Sequence, residues 1–221
     1  KMKDMPVLED LYEVLAADAN TSRLALMLKP LVRGSLQVFN NRTNVNLENK
    51  FIVADINDLN DDLLAVGMFT VMDLFWDRVK EDRSEKKLIY IDELWRLIGS
   101  SGNRYSAEFV YKIFKTIRKY GGGVTAITQD VADFFALEGG KYGRAIINNS
   151  KFKFILQLEE EDTKVLKDIL NLSDAEISFI TTSDRGCGLL YAGGNHIAVK
   201  VEASPAEDRI ITTDRNWRRE K

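Results

Sequence analysis

A single cysteine, Cys187, and a single histidine, His196, narrow the chemistry at once. One thiol cannot close a disulfide within the chain, and one cysteine with one histidine cannot build a zinc cluster. Cys187 lies between Gly186 and Gly188, where a tight backbone is the simpler reading than a reactive thiol, and the scarcity points to a reducing cytosol. His196 falls in an alternating stretch with no cysteine or histidine neighbour, and reads as a structural histidine. No charge of either sign dominates: 31 lysines and arginines face 34 acids, a net charge of -3. Nothing global therefore advertises a nucleic-acid partner, although a local basic groove would not register in that sum. Long apolar runs are missing too. The most apolar stretch, "LLAVGMFTVMDLFW" (63 to 76), is interrupted by Asp73 and falls short of the roughly 20 residues of a membrane span, so it reads as a buried helix. No leader opens the chain and Lys1 precedes Met2, which suggests a piece of a longer protein. Nor is there a G-x-x-x-x-G-K-[ST] loop, the glycine-rich cradle whose N–H groups and lysine hold phosphates. "GGKYGR" (139 to 144) is the nearest sequence, but tyrosine follows its lysine and no strand feeds it.

With 45% hydrophobic and 29% charged residues, the 221-residue chain suits one sizeable domain with a core, or a domain with an appendix. "PVLEDLYEVLA" predicts a helix with Pro6 in its first turn and Leu8, Leu11, Val14 and Leu15 on one face, and a second helix runs from about Thr21 to Val32, ending near Gly34. After an asparagine-rich loop, "KFIVADI" (50 to 56) has strand composition, and a long helix covers Asp62 to Glu81. "KLIYI" is the next strand. A helix from Ser106 to Tyr120 places Phe109, Ile113, Phe114 and Ile117 on one face, and Gly121 to Gly123 stop it. "VTAIT" is a strand, "VADFFAL" and "YGRAIINNS" are helices, and "KFKFILQL" is a further strand in the same alternation. Strands separated by helices predict a mainly parallel sheet flanked by helices. Two helices, "EEDTKVLKDIL" and "DAEISFIT", then precede a hairpin of "GCGLLYA" and "NHIAVKVE". The tail from 204 to 221 is polar and basic. Trp217, among Arg215, Arg218 and Arg219, reads as part of a final amphipathic helix or as a contact to nucleic acid or a partner. No internal repeat is evident.

The chemistry concentrates where "KLIYI" ends in two carboxylates, Asp92 and Glu93. In a doubly wound sheet, ligands sit outside the carboxyl ends of the strands. An aspartate there can hold magnesium through water, and the glutamate beside it can deprotonate an attacking water. Asp92 can equally be a helix cap, since acids favour the start of a helix dipole. Gln129, at the exit of the next strand, can touch both the attacking water and a terminal phosphate, or merely cap a loop. Strand-Asp-Glu, helix, then strand-Thr-Gln in this order favours the catalytic reading over coincidence. The run "EEED" (159 to 162) is most simply a helix start favoured by its dipole, and Trp95 is more simply core than a stacking platform.

"IYIDELWRLI", "TIRKYGGGVTAITQD" and "NKFIVADINDL" resemble the VirB-type ATPases of type IV secretion and conjugation, relatives of the FtsK and HerA translocases. The resemblance covers nearly the whole chain, and its most specific mark is Asp-Glu-Leu-Trp at 92 to 95, where the family usually has Asp-Glu-Ala-Trp. It implies an α/β RecA-like P-loop ATPase, with residues 1 to 49 a helical insertion or lid, 50 to 203 the ATPase core and 204 to 221 a tail. It implies ATP and Mg2+ as ligands, Asp92 as the magnesium-associated acid, Glu93 as the catalytic base and Gln129 as the sensor. Arg118, in "TIRKYGGG", falls where these motors carry a basic pair and could reach a nucleotide in a neighbouring subunit. Its plainer role is a solvated charge at a helix end. Arg144 and Arg185 rank behind it. A homo-oligomeric ring, read as a hexamer, further secretion-system components, possible DNA contact and a cytoplasmic site at the membrane face complete what the resemblance implies. In that family the phosphate loop precedes the helical insertion. The rivals are a DNA translocase of the FtsK, HerA or coupling-protein type and a non-catalytic assembly scaffold.

Overall fold

The computed structural model describes residues 5–34, 36–42, 46, 48–59, 61–100 and 102–212. The expected tail features around Trp217 lie outside these residues. The chain divides into two compact units, 1–67 and 68–221, and the helix α3 (Asp61–Glu81) runs through the division.

The first unit is a helical hairpin of α1 (Leu8–Ala17) and α2 (Ser22–Arg33). Asp10 accepts from the Val7 backbone N–H at 2.7 Å, closing the entry to α1. Arg33, in the last turn of α2, reaches back to Glu9 at 2.5 Å and lies over the Tyr12 ring. The apolar face expected for α1 is only partly used: Leu8, Tyr12 and Leu15 are half-buried, whereas Leu11 and Val14 are exposed. "KFIVADI" is not a strand. Strand composition supplies propensity, but a ladder needs a neighbour to take its N–H and C=O groups. No residue of 50–56 joins a ladder among the described residues, and Phe51 and Val53 stand exposed at 85% and 74%.

In the second unit, β1 (Lys87–Ile91) and β2 (Gly122–Ala126) pair in parallel, Lys87 opposite Gly122 and Ile91 opposite Ala126. Their connection holds the short helix α4 (Trp95–Ile98) and α5 (Arg104–Thr116). Asn103 caps α5 by accepting from the Ser106 backbone N–H at 3.0 Å, and Ser106 donates its hydroxyl to the Leu97 carbonyl, which ties α5 to α4. The buried face of α5 is Ser106, Ala107, Val110 and Ile113; of the face that the periodicity suggested, Ile113 and Ile117 are buried, with Phe109 and Phe114 half-buried at its margin. A 3-10 turn, Ile117–Tyr120, follows, and Gly121 ends it at φ 72°, a left-handed conformation that favours glycine. β2 therefore starts two residues earlier than expected. The long apolar run in α3 buries Met68, Met72, Trp76 and Val79 but leaves Phe69 partly exposed, so that this part of α3 is one-sided rather than enclosed.

After β2 come α6 (Val131–Phe134), α7 (Lys141–Asn149) and β3 (Phe152–Leu156). The strand β3 does not extend the parallel pair. Two helices, α8 (Glu160–Leu170) and α9 (Asp174–Thr182), carry the chain down and back to the end where β3 stopped. The next strand, β4 (Cys187–Ala192), thus enters there and runs antiparallel, Leu156 opposite Gly188. The predicted hairpin follows, with β5 (Asn195–Lys200) turned through Gly193 and Gly194. Val131, Ile155, Leu166, Leu172, Ile180, Leu189 and Tyr191 form the core beneath this sheet. The short helix α10 (Pro205–Ile211) is capped by Ser204. Helices with a parallel strand pair and a terminal hairpin make the expected α/β class, with parallel pairing confined to β1 and β2 among the described residues.

Candidate active site

The exits of β1 and β2 are tied together beyond the strands themselves. Ile127 donates its backbone N–H to the Ile91 carbonyl at 2.8 Å, and Leu94 donates to the Ile127 carbonyl at 3.2 Å. Between these bonds the chain turns sharply. Glu93 sits at φ 52°, a left-handed conformation that costs a non-glycine residue about 1–3 kcal/mol and is held only where its surroundings fix it. The turn brings the Glu93 carboxylate onto Gln129, whose Nε2 donates to Oε1 at 2.6 Å. The other oxygen, Oε2, accepts from Trp95 Nε1. Asp92 uses one oxygen locally, accepting from the Glu93 backbone N–H at 3.0 Å, and is exposed.

An open cavity of about 410 Å3 lies alongside, lined by Trp95, Gln129, Asp130 and Asp162. Asp130 caps α6 by accepting from the Asp133 backbone N–H at 2.7 Å. Asp162 belongs to the first turn of α8, so the exit of β3 joins those of β1 and β2. Burial, and after it the negative charge of Asp130, hold the Asp162 carboxyl above the ordinary carboxylate range. Asp133 braces the far end of α4: its carboxylate accepts from the Ser100 hydroxyl at 2.5 Å and from the Ser100 backbone N–H at 3.2 Å. Gly99 is required there, because a Cβ would come within 2.2 Å of Asp133 Oδ2 and 2.7 Å of the Trp95 carbonyl.

Asp92, Glu93 and Gln129 are thus brought to one place, as the sequence predicted. Arg118 and Arg144 are not, and no arginine lines the cavity among the described residues. Arg118 lies in the 3-10 turn that enters β2, the opposite end of a five-residue strand, on the order of 16 Å from the exits at strand rise. It is exposed and has no ion-pair partner among the described residues. Arg144 is exposed on α7, which packs against α5, and does not line the cavity. Arg185 is exposed in the turn that leads into β4, at the end where β3 exits. The "GGKYGR" stretch is no phosphate cradle: Gly140 caps α7 and Lys141 pairs with Glu138 at 3.3 Å. His196 is structural, bonded to Glu176 at 2.5 Å and stacked on Tyr191. Sequence reasoning missed Trp95 as a partner of Glu93, and it missed Asp133 and Asp162. The signal for Asp162 was the "EEED" run directly after a strand exit.

A parallel strand pair whose exits join an acid pair to a glutamine fits the class of P-loop domains. The model of the TraG P-loop domain matches residues 6–189, and the chain belongs to that family. It is similar to VirB4 of Thermoanaerobacter pseudethanolicus, with 30% identity and a TM-score of 0.85 over 94% of this chain and 57% of that one. It is also 33% identical over 111 residues to protein TraC of Escherichia coli K12, covering 49% of this chain and 13% of TraC. The chain therefore spans little more than half of the VirB4 structure and a small part of TraC. These likenesses bear out the resemblance to VirB-type ATPases and the RecA-like fold.

Proposed function

We propose that the full-length protein hydrolyses ATP to drive a type IV secretion or conjugation machine, and that this chain supplies the water-activating part of its site. The observation that carries the reading is the hydrogen bond between Glu93 and Gln129 across the exits of a parallel strand pair. Glu93 takes a proton from water as the water oxygen bonds to the γ-phosphorus. The bond from that phosphorus to the β–γ bridging oxygen breaks, leaving ADP and inorganic phosphate. Gln129 senses the terminal phosphate by exchanging its bond to Glu93 for one to the phosphate or the water. No group of three or more acids, histidines or cysteines fit to cage a metal occurs among the described residues, and Asp92 offers one exposed carboxylate. That donor set suits magnesium, which keeps most of its waters and takes phosphate oxygens. When bound, the ion would neutralise charge on the phosphates, with Asp92 holding its water shell.

A homo-oligomeric ring, a hexamer with Arg118 reaching the neighbouring nucleotide and Arg144 or Arg185 in lesser roles, fits the exposure of all three arginines. Other secretion components, DNA and the cytoplasmic membrane face belong to the same proposal. No described helix is long and apolar enough to cross a membrane.

The test is magnesium-dependent ATP turnover and binding by the full-length protein, with any sequence that flanks these residues. Wild type should hydrolyse, and Asp92→Ala should weaken nucleotide binding about tenfold or more in magnesium but not in EDTA. Failure of the intact protein to bind nucleotide would favour a scaffold, and stimulation that grows with the length of double-stranded DNA would favour a translocase.

A further inference from the structure

Both oxygens of the Glu93 carboxylate are engaged, and the two donors differ in how firmly they are held. Gln129 is exposed, on the segment leaving β2. Trp95 is the first residue of α4, half-buried, with one side on the cavity and the rest of its helix firmly packed. Leu94, Leu97 and Ile98 around it are 0%, 1% and 1% exposed. Its carbonyl accepts from the Gly99 N–H at 2.6 Å, and the next residue, Ser100, is pinned by Asp133. The Arg96 guanidinium lies over the indole ring at 4.8 Å, which fixes one face of the ring. The ring edge that carries Nε1 points back two residues to Glu93, a geometry available because Glu93 takes the left-handed backbone.

We infer that Trp95 is a positioning residue for Glu93: its indole N–H keeps Oε2 fixed throughout turnover, so that Oε1, freed when the Gln129 amide turns to substrate, is the oxygen presented to the attacking water. The inference rests on the reading of Glu93 as the base. A carboxylate held by one oxygen can rotate about its side-chain bonds only at the cost of that bond. Fixing one oxygen therefore fixes where the other meets water, and misplacement of a reacting group by an ångström is costly in rate.

The experiment is steady-state ATPase of the full-length protein with Trp95→Phe and, in parallel, with β-(3-benzothienyl)alanine at 95, in which sulfur replaces the N–H and the ring shape is kept. Each should lower kcat about tenfold while leaving KM for ATP within about twofold and the thermal midpoint unchanged. In a Glu93→Gln background, where proton transfer is already gone, either change should cost less than about twofold more. Wild-type kcat in both Trp95 variants, alongside loss of turnover in Glu93→Gln, would overturn the positioning role and leave Glu93 as the base. A tenfold loss that persists in the Glu93→Gln background, or one that comes with an equal rise in KM or a lowered midpoint, would make Trp95 a packing residue only. Turnover retained by Glu93→Gln would overturn the reading beneath it. If Trp95→Phe does not fold, the benzothienyl protein alone decides.

Discussion

Glu93 and Glu176 both accept hydrogen bonds from an aromatic ring nitrogen and from a polar neighbour, yet they sit in opposite settings. Glu176 lies three residues into α9 and closes its start: Ser173 gives it a backbone N–H and a hydroxyl, each at 2.7 Å, and His196 adds its ring from β5. Every bond fastens a helix end to itself or to the neighbouring hairpin. Glu93 caps nothing. Its donors are two side chains, its backbone is left-handed, and its carboxylate stands beside an open cavity. A carboxylate read from its partners alone would be assigned alike in both places. The backbone beneath it, and whether its bonds close a segment or span an opening, separate the structural acid from the one proposed to act on water.

The largest way to break this comparison is to exchange the two losses. Glu93→Gln should slow ATP turnover of the full-length protein on the order of a hundredfold or more and leave the thermal midpoint nearly unchanged, since shape is kept and only proton acceptance is lost. Equal slowing by Glu176→Ala would erase the distinction. A smaller effect tests the brace between the exits. Gly99→Ala must displace Asp133 or the Trp95 carbonyl, and should cost about 1–3 kcal/mol of stability, read from denaturant midpoints of the chain. Unchanged stability would mean that the contact between α4 and α6 is loose.

The legible part of the site was the part that depends on strand exits. Apolar runs ending in Asp92–Glu93 and in Gln129 place those residues on one edge whatever lies between, because parallel strands share their exit end. Helix boundaries near Gly34 and Gly121 were legible for a similar reason, since glycine ends helices by a local rule. What depends on partners was not. "KFIVADI" has the composition of a strand, but pairing is a property of two segments, and among the described residues nothing pairs with it. The antiparallel entry of β4 beside β3 goes with the two helices between them, which the sequence also showed. From sequence alone Trp95 is more simply core than a stacking platform. Its bond to Glu93 required the left-handed turn, which no residue type in "IDELW" announces. Asp133 reaches Ser100 across 33 residues, a contact that no local pattern encodes.

The smallest effect sharpens the structural side of the comparison. Glu176→Ala removes the reciprocal half of the Ser173 cap and should cost about 1 kcal/mol at neutral pH. The Ser173 hydroxyl and backbone N–H, and after them His196, hold the Glu176 carboxyl below the ordinary carboxylate range. The folded chain therefore binds that proton less readily than the unfolded one. Its contribution is complete above the unfolded value, about 4.3, and is lost as pH falls through the lower, folded value. Thermal midpoints of wild type and Glu176→Ala should accordingly differ at pH 7 by a near-constant amount down to about pH 5, then converge as the medium is acidified further. A gap that stays constant through that acid range would show that Glu176 acts as a spacer and not through its charge. A gap that closes near neutrality would instead trace the effect to a group other than this carboxylate.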